Sequence, residues 1–325
     1  METNSSISDS KPKIRTFLFF LLGLGSFLGL AYLFLWQGLQ VGIKTQMYHD
    51  PIRWQEFHAL APRSLDILFI GSSRTVRAFD PWIVEQETQK SAFNLASDGQ
   101  FPQLSFYVLQ EALQTQKPQF VVYGVDGLGS EGNFIAVRNN YNFMRDAKVK
   151  RELAQSYFNL EERLLLRFPL FGHREDWRWF AAMVPGFSFQ ETYAGKGFAW
   201  NTRVFSPGPE SEDTPSSSPK MALVEKQVAY FQQILQLCEE KGIQLFLVLL
   251  PNAPSTQNAE QIQLQNHTVK TLSGSYPHVL LDYAAKDGET RTTRDSNYSD
   301  AIHLNRSGSE IISHWISDAI LSNPD

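Results

Sequence analysis

Two short runs, far apart in the chain, carry residue types able to do covalent chemistry. Gly71-Ser72-Ser73-Arg74-Thr75 ends an apolar run, and Asp300-Ala301-Ile302-His303-Leu304-Asn305 precedes Gly308 near the C-terminus. A serine hydroxyl is too weak an acid to attack a carbonyl unaided, so it needs an imidazole to take its proton and a carboxylate to orient that imidazole. Asp-x-x-His can deliver both from one loop, because three residues of turn bring the carboxylate under the ring. The chemistry is acyl transfer through a serine ester, with Ser73 as nucleophile, His303 as base and Asp300 as the orienting acid. Each run also has a plain reading: Ser73 as a helix N-cap, Asp300 as the cap of a short turn, His303 as a loop histidine. The joint placement, one run after the first strand and the other before the last helix, favours the catalytic reading. Arg74 and Arg77 flank the serine and could either hold a substrate carboxylate or phosphate or form structural salt bridges.

Such residues need a frame. Leu65–Ile70 is a continuous apolar run ending at Gly71, and similar runs recur at Ala92–Leu95, Phe120–Val125, Gln244–Leu250 and Val279–Leu281. Continuous apolar runs of this length read as buried parallel strands. Helical patterns lie between and after them at Gln103–Gln116, Met221–Lys241, Gln257–Leu272 and Ser307–Leu321, with the Met221–Lys241 apolar face at Leu223, Val228, Phe231, Leu235 and Leu237. Strands alternating with helices predict an α/β fold, a doubly wound parallel sheet covered on both faces, with function at the carboxyl ends of its strands. Residues 131–205 break the rhythm: they are dense in aromatics, including Phe134, Tyr141, Tyr157, Phe158, Trp177, Trp179, Phe180, Tyr193 and Trp200, and predict a helical insertion. These rings could pack a core or stack on sugars. Ser206–Lys220, with four prolines, reads as an exposed loop.

The 325 residues hold 29 Lys and Arg against 34 Asp and Glu, a net charge of −5, with no basic block. That balance argues against nucleic acid as partner, since phosphate binding needs a concentrated basic face. A single cysteine, Cys238, excludes an intrachain disulfide framework, and His49, His58 and His173 show no metal-ligand spacing. His314, beside Trp315 in the last helical pattern, reads as structural. Phe17–Trp36 is a run of 20 residues without charge, long enough at about 1.5 Å per residue to cross a membrane. Bulky residues where a cleavage site would need small ones argue for a retained anchor. Lys11, Lys13 and Arg15 precede the run and only Lys44 follows closely, which predicts a cytoplasmic N-terminus and an extracytoplasmic remainder. The expected order is a tail at 1–16, an anchor at 17–36, a juxtamembrane linker at 37–63 and one α/β domain at 64–325, its insertion at about 131–220.

Gly71-Ser72-Ser73 and Asp300-x-x-His303, with Gly308 after it, together resemble the first and last blocks of the SGNH (GDSL-like) hydrolase and acyltransferase superfamily. The likeness is strongest to its membrane-anchored bacterial branches (AlgJ/AlgX-like and DltD-like). Ser72 stands where the family usually has Asp. Asn94-Leu95-Ala96-Ser97-Asp98-Gly99 is similar to the second block, which places Gly99 as an oxyanion donor beside the Ser73 amide. Gly124-Val125-Asp126 looks like the third block, Gly-x-Asn, but an ionised Asp126 could only repel an oxyanion. Either Asp126 is not the equivalent residue or the third donor is Asn94 or Asn252; Asn252 and Arg74 are also candidates for substrate contact. The resemblance implies no metal and no cofactor. It implies O-acylation of a cell-surface or exported polysaccharide, with a multi-spanning membrane partner as acyl donor. A carbohydrate esterase with the same triad and a non-catalytic polysaccharide-binding or assembly protein of the same fold are the alternatives.

Overall fold

Five apolar runs pair as parallel strands. In chain order they are β1 (Ile67–Gly71), β2 (Ala92–Asn94), β3 (Phe120–Gly124), β6 (Gln244–Leu249) and β7 (Val279–Asp282), ordered β2-β1-β3-β6-β7 across the sheet. This is the flavodoxin-like order, whose switch point falls between β1 and β3. β4 (Thr192–Gly195) and β5 (Phe198–Trp200) form a separate antiparallel hairpin. The computed structural model describes residues 11–45, 50–167, 191–207, 223–256, 259–284 and 293–323. The helices among them are α1 (Lys11–Thr45), α2 (Asp50–Ala59), α3 (Ser73–Ala78), α4 (Pro81–Thr88), α5 (Pro102–Ala112), α6 (Phe134–Phe143), α7 (Ala147–Tyr157), α8 (Leu160–Arg167), α9 (Glu225–Lys241), α10 (Ala259–Ser273) and α11 (Arg306–Ser322).

Two compact units emerge, one of Met1–Met47 with Leu160–Ser188, the other of Tyr48–Asn159 with Phe189–Asp325. In the first, Ile14–Gln37 of α1 has a mean hydropathy of 2.2 over 24 residues, long and apolar enough to cross a membrane. The second holds the sheet. Strand residues alternate between its faces. Ile67, Phe69, Phe120, Val122, Phe246 and Val248 share one buried cluster with Phe79, Val84, Ile312 and Ile316, so α3, α4 and α11 cover that face. The alternate residues, Leu68, Ile70, Val121, Tyr123, Leu245 and Leu247, are equally buried; Tyr123 meets Phe231 of α9, and α9 packs on α5. α9 turns its Gln227, Phe231, Ile234, Leu235 and Cys238 inward. The expected face was therefore displaced: Leu223 is exposed and Val228 and Leu237 are half-buried. Burial pushes the Cys238 thiol up to about 12, which leaves it an inert packing group.

The aromatic insertion is helical over α6 to α8 and then turns into the β4/β5 hairpin, which aromatic density alone did not announce. Phe134, Tyr141 and Tyr157 ring the buried Phe158. Trp177, Trp179 and Phe180, and residues 208–220 of the proline-rich loop, lie outside the described residues, as do His49 and His173. The hairpin covers the edge of the sheet: the Asn94 amide donates to Lys196 O at 2.9 Å. Gly197 permits this approach, since a Cβ there would lie 1.6 Å from Asn94 O.

The juxtamembrane linker expected at 37–63 is corrected most. Asp50–Ala59 folds as α2, with Arg53, Trp54 and Phe57 at most 2% exposed. Phe57 meets Phe93 edge to face, and His58 stacks on Trp54 while its Nε2 bonds Phe143 O. Polar residues interleaved with few apolar ones gave α2 no readable stripe, because its inward face is half polar. If α2 is core, Trp54→Ala costs about 3–5 kcal/mol in chemical denaturation; a tethering linker would tolerate the change within about 0.5 kcal/mol.

Candidate active site

The carboxyl ends of β1 and β3 form a floor without side chains. A Cβ on Gly71 would lie 2.3 Å from Thr75 Oγ1, and one on Gly124 2.1 Å from the same atom. Gly71 also has φ +142°, outside the range L-residues favour. Glycine at both positions lets α3 start directly against the strand ends. Ser72 caps that helix, its Oγ accepting from the Arg74 amide at 3.3 Å. Ser73 is thus the first helical residue, where the backbone N–H has no intrahelical acceptor.

The partner loop comes from the other end of the fold. Asp300 Oδ1 accepts the amides of Ile302 and His303 at 3.0 and 2.9 Å, and its Oδ2 faces His303 Nδ1 at 2.8 Å. His303 Nε2 lies 2.8 Å from Ser73 Oγ. With the carboxylate accepting from Nδ1–H, Nε2 carries the lone pair that faces the serine hydroxyl; this tautomer follows from the hydrogen-bond network. Burial pushes the Asp300 carboxyl up, but the Ile302 and His303 amides and the imidazole outweigh it and hold the group below its ordinary value. The carboxylate therefore stays ionised at neutral pH. Its folded pKa lies below the unfolded one, so its contribution to stability is present above the ordinary carboxylate range and fades as pH falls through the depressed value.

What fixes the 2.8 Å contact is the start of α11. Asn305 caps it, accepting from the Gly308 amide, while its Nδ2 donates to Arg203 O, Ser296 O and Tyr298 O. Ser299 N donates to His303 O, closing the loop as a turn. Gly308 is obligatory there, since a Cβ would lie 2.2 Å from Asn297 O. α11 is then bound to α4: Arg306 Nη1 donates to the buried Asp80 Oδ2 at 2.6 Å, and the Asp80 amide donates to Ser313 Oγ at 2.8 Å.

The Ala96–Gly99 turn borders the serine. Ser97 N donates to Gly71 O at 3.1 Å, and Arg77 Nη1 bridges Ser73 O at 3.0 Å and Asp98 Oδ1 at 3.1 Å. Arg77 also pairs with Glu191 beside the hairpin. Burial pulls its pKa down, but Asp98 and Glu191 prevail and raise it. Gly99 takes φ +65°. The amides of Ser73, Asp98 and Gly99 have no acceptor among the described residues.

Four expected roles change. Asn94 is fully buried, and its Nδ2 donates to Thr75 O and Phe79 O, so it cannot serve as an oxyanion donor. Asp126 accepts rather than donates: its Oδ2 receives the Ser72 hydroxyl at 2.7 Å and its Oδ1 the Gly127 amide. Ser72 and Asp126 thus meet in one hydrogen bond. Arg74 Nη2 donates to Leu250 O, Pro251 O and Asn252 Oδ1 at 2.5, 3.0 and 2.9 Å. This holds the loop after β6 to α3 and withdraws Arg74 from substrate binding; Asn252 accepts that bond. Of the two roles the sequence left open for Arg74 and Arg77, substrate clamp or structural contact, both arginines take the structural one, Arg77 in salt bridges with Asp98 and Glu191. His314 pairs with Glu87 at the surface. Among the described residues, no cluster of three or more His, Cys, Asp or Glu side chains could hold a metal ion.

No protein-family model matches the chain, and no curated protein matches it. Solved structures are similar in part. A Bacteroides fragilis protein described as an acylhydrolase has 12% identity and a TM-score of 0.41, over 83% of this chain and 94% of that one. A GDSL-like lipase from Bacteroides thetaiotaomicron has 12% identity and a TM-score of 0.39, over 84% and 98%. A family two carbohydrate esterase from Clostridium thermocellum has 10% identity and a TM-score of 0.37, over 82% and 66%. The chemistry is argued below from this chain's own residues.

If Arg74 is a brace and not an anion clamp, Arg74→Ala strands two backbone carbonyls and lowers stability by about 1–3 kcal/mol in urea titration. An unchanged midpoint would contradict the assignment.

Proposed function

We propose that this chain is a membrane-anchored enzyme that transfers an acyl group from an ester to a hydroxyl acceptor through an acyl-serine. The supporting observation is the pair of hydrogen bonds through the His303 ring, Ser73 Oγ to Nε2 and Nδ1 to Asp300 Oδ2, both 2.8 Å. As the Ser73 oxygen attacks the ester carbonyl, its proton passes to His303 Nε2. The Asp300 carboxylate stabilises the resulting imidazolium and holds its tautomer. The tetrahedral oxyanion is received by the Ser73 and Gly99 amides, which have no competing acceptor among the described residues. Collapse expels the donor's alcohol, which takes the proton from Nε2. In the second half-reaction His303 deprotonates the acceptor hydroxyl, which attacks the acyl-serine, and the proton returns to Ser73.

The acceptor in this reading is a sugar hydroxyl of a cell-surface or exported polysaccharide, with water as the competing acceptor. The apolar span at Ile14–Gln37 supports an anchor. Lys11, Lys13 and Arg15 at its N-terminal end support a cytoplasmic N-terminus and an extracytoplasmic catalytic domain. A membrane-embedded partner supplying the acyl group fits that placement.

Purified full-length protein is expected to turn over p-nitrophenyl acetate. Ser73→Ala abolishes the reaction, and Asp300→Asn, which permits the wrong imidazole tautomer, lowers kcat by about 10²–10⁴-fold. Added oligosaccharide that gains acetyl groups supports transfer; release of acetate alone, unaffected by sugar, supports the esterase. Turnover by Ser73→Ala equal to wild type overturns both.

A further inference from the structure

We propose that Arg53 of α2 is a positioning residue that sets the Ala96–Gly99 turn, and through it the Gly99 amide on which the proposed acyl transfer draws. This inference rests on that reading of the site. Arg53 is 2% exposed. Its Nη1 donates to Ala96 O, and its Nη2 to Asp50 Oδ1 and Asn140 Oδ1. Asn140, fully buried, receives Trp54 Nε1 on the same Oδ1 and donates from Nδ2 to Ser97 Oγ at 2.8 Å. The Ser97 hydroxyl in turn donates to Gln100 Oε1 at 2.8 Å. The Ala96 carbonyl is therefore tied to α2 directly, and the Ser97 hydroxyl through Asn140.

The geometry gives this grip its purpose. The Ala96–Ser97 peptide unit is planar, and both its polar ends are held: the carbonyl by Arg53, the N–H by Gly71 O at the end of β1. Turning that plane would swing the residues that follow, Asp98 and Gly99, whose amides have no acceptor among the described residues. Arg77 holds the far side of the turn through Asp98. The turn is thus clasped between two guanidinium groups, one from α3 beside Ser73 and one from α2.

A buried ion pair is a poor source of stability, since apolar residues of similar volume commonly replace one at no loss. What an apolar side chain cannot do is direct a carbonyl. Asp50, one helical turn before Arg53, neutralises the charge and leaves the Ala96 bond as the part of the network that reaches the site.

The test uses the full-length protein with Arg53→Gln and Arg53→Lys, and Ser97→Ala as a milder variant that keeps the guanidinium. For Arg53→Gln, kcat on p-nitrophenyl acetate is expected to fall by about 10²-fold, the scale of one oxyanion donor, with KM changed by less than about two-fold. The shape of the pH–rate profile is unchanged, because Ser73, His303 and Asp300 are untouched. Amide hydrogen exchange over residues 95–101 accelerates while the β1 and β3 peptides keep their protection. Arg53→Lys restores part of both effects, and Ser97→Ala shows both more weakly. Uniform loss of protection across the sheet, or no local change over residues 95–101, overturns the proposal. If the wild-type protein turns over no ester, the reading of the site fails, and the exchange measurement alone decides whether Arg53 sets the turn.

Discussion

The hydrogen bond from Ser73 Oγ to His303 Nε2 joins residues 230 positions apart, and most of what is unusual in the structure exists to hold its two ends in place. On one side, bare glycines at the ends of β1 and β3 let α3 begin at the sheet edge. On the other, the Asn305 cap and the close approach of Gly308 to Asn297 O fix where the histidine loop leaves α11. The bond closes only because α11 is pinned to α4 through Asp80, Arg306 and Ser313. The contacts of Asn305, Asp80, Arg306 and Ser313 are hydrogen bonds of buried or half-buried groups, which gives the site rigidity that a surface ion pair cannot supply.

Charge around the serine is arranged by the same logic. Three arginines lie near it, and each is engaged inside the protein: Arg74 by the loop after β6, Arg77 by Asp98 and Glu191, Arg53 by Asp50 and Ala96. Arg74 and Arg77 take the structural one of the two roles that the sequence left open. They are braces, and among the described residues the backbone amides of Ser73, Asp98 and Gly99 have no acceptor. A site built in this way offers preorganised dipoles to a developing oxyanion in place of mobile cations. Asp126, where an amide donor was expected, is turned toward Ser72 and helps fix the helix cap.

The sheet was readable because apolar runs bounded by glycine and polar residues have few other uses. All five parallel strands lie within two residues of the bounds read from sequence, and the closing helix within one. The pairing of Ser73 with Asp300 and His303 was also legible, since those residue types have a known chemical division of labour. Less accessible was anything whose pattern is mixed. The inward face of α2 combines Asp50, Arg53, Trp54 and Phe57, so no hydrophobic period marked it, and it read as linker. The apolar face of α9 was misplaced because Gln227 occupies an inward position where Val228 looked the better candidate. The hairpin of the insertion rests on Gly195 and Gly197, whose significance appears only when the edge of β2 is beside them. The roles of Asn94, Arg74 and Asp126 depend on partners up to 178 residues away, which no local spacing reveals.

The central claim is that Ser73 carries the acyl group and that His303 activates it. Peptide-resolved mass spectrometry of protein treated with a fluorophosphonate tests this most directly, alongside protein quenched during turnover of p-nitrophenyl acetate. A single adduct on the peptide containing Ser73, lost in His303→Ala, is the predicted result. An adduct on another residue, or the same labelling of Ser73 with and without His303, would contradict it.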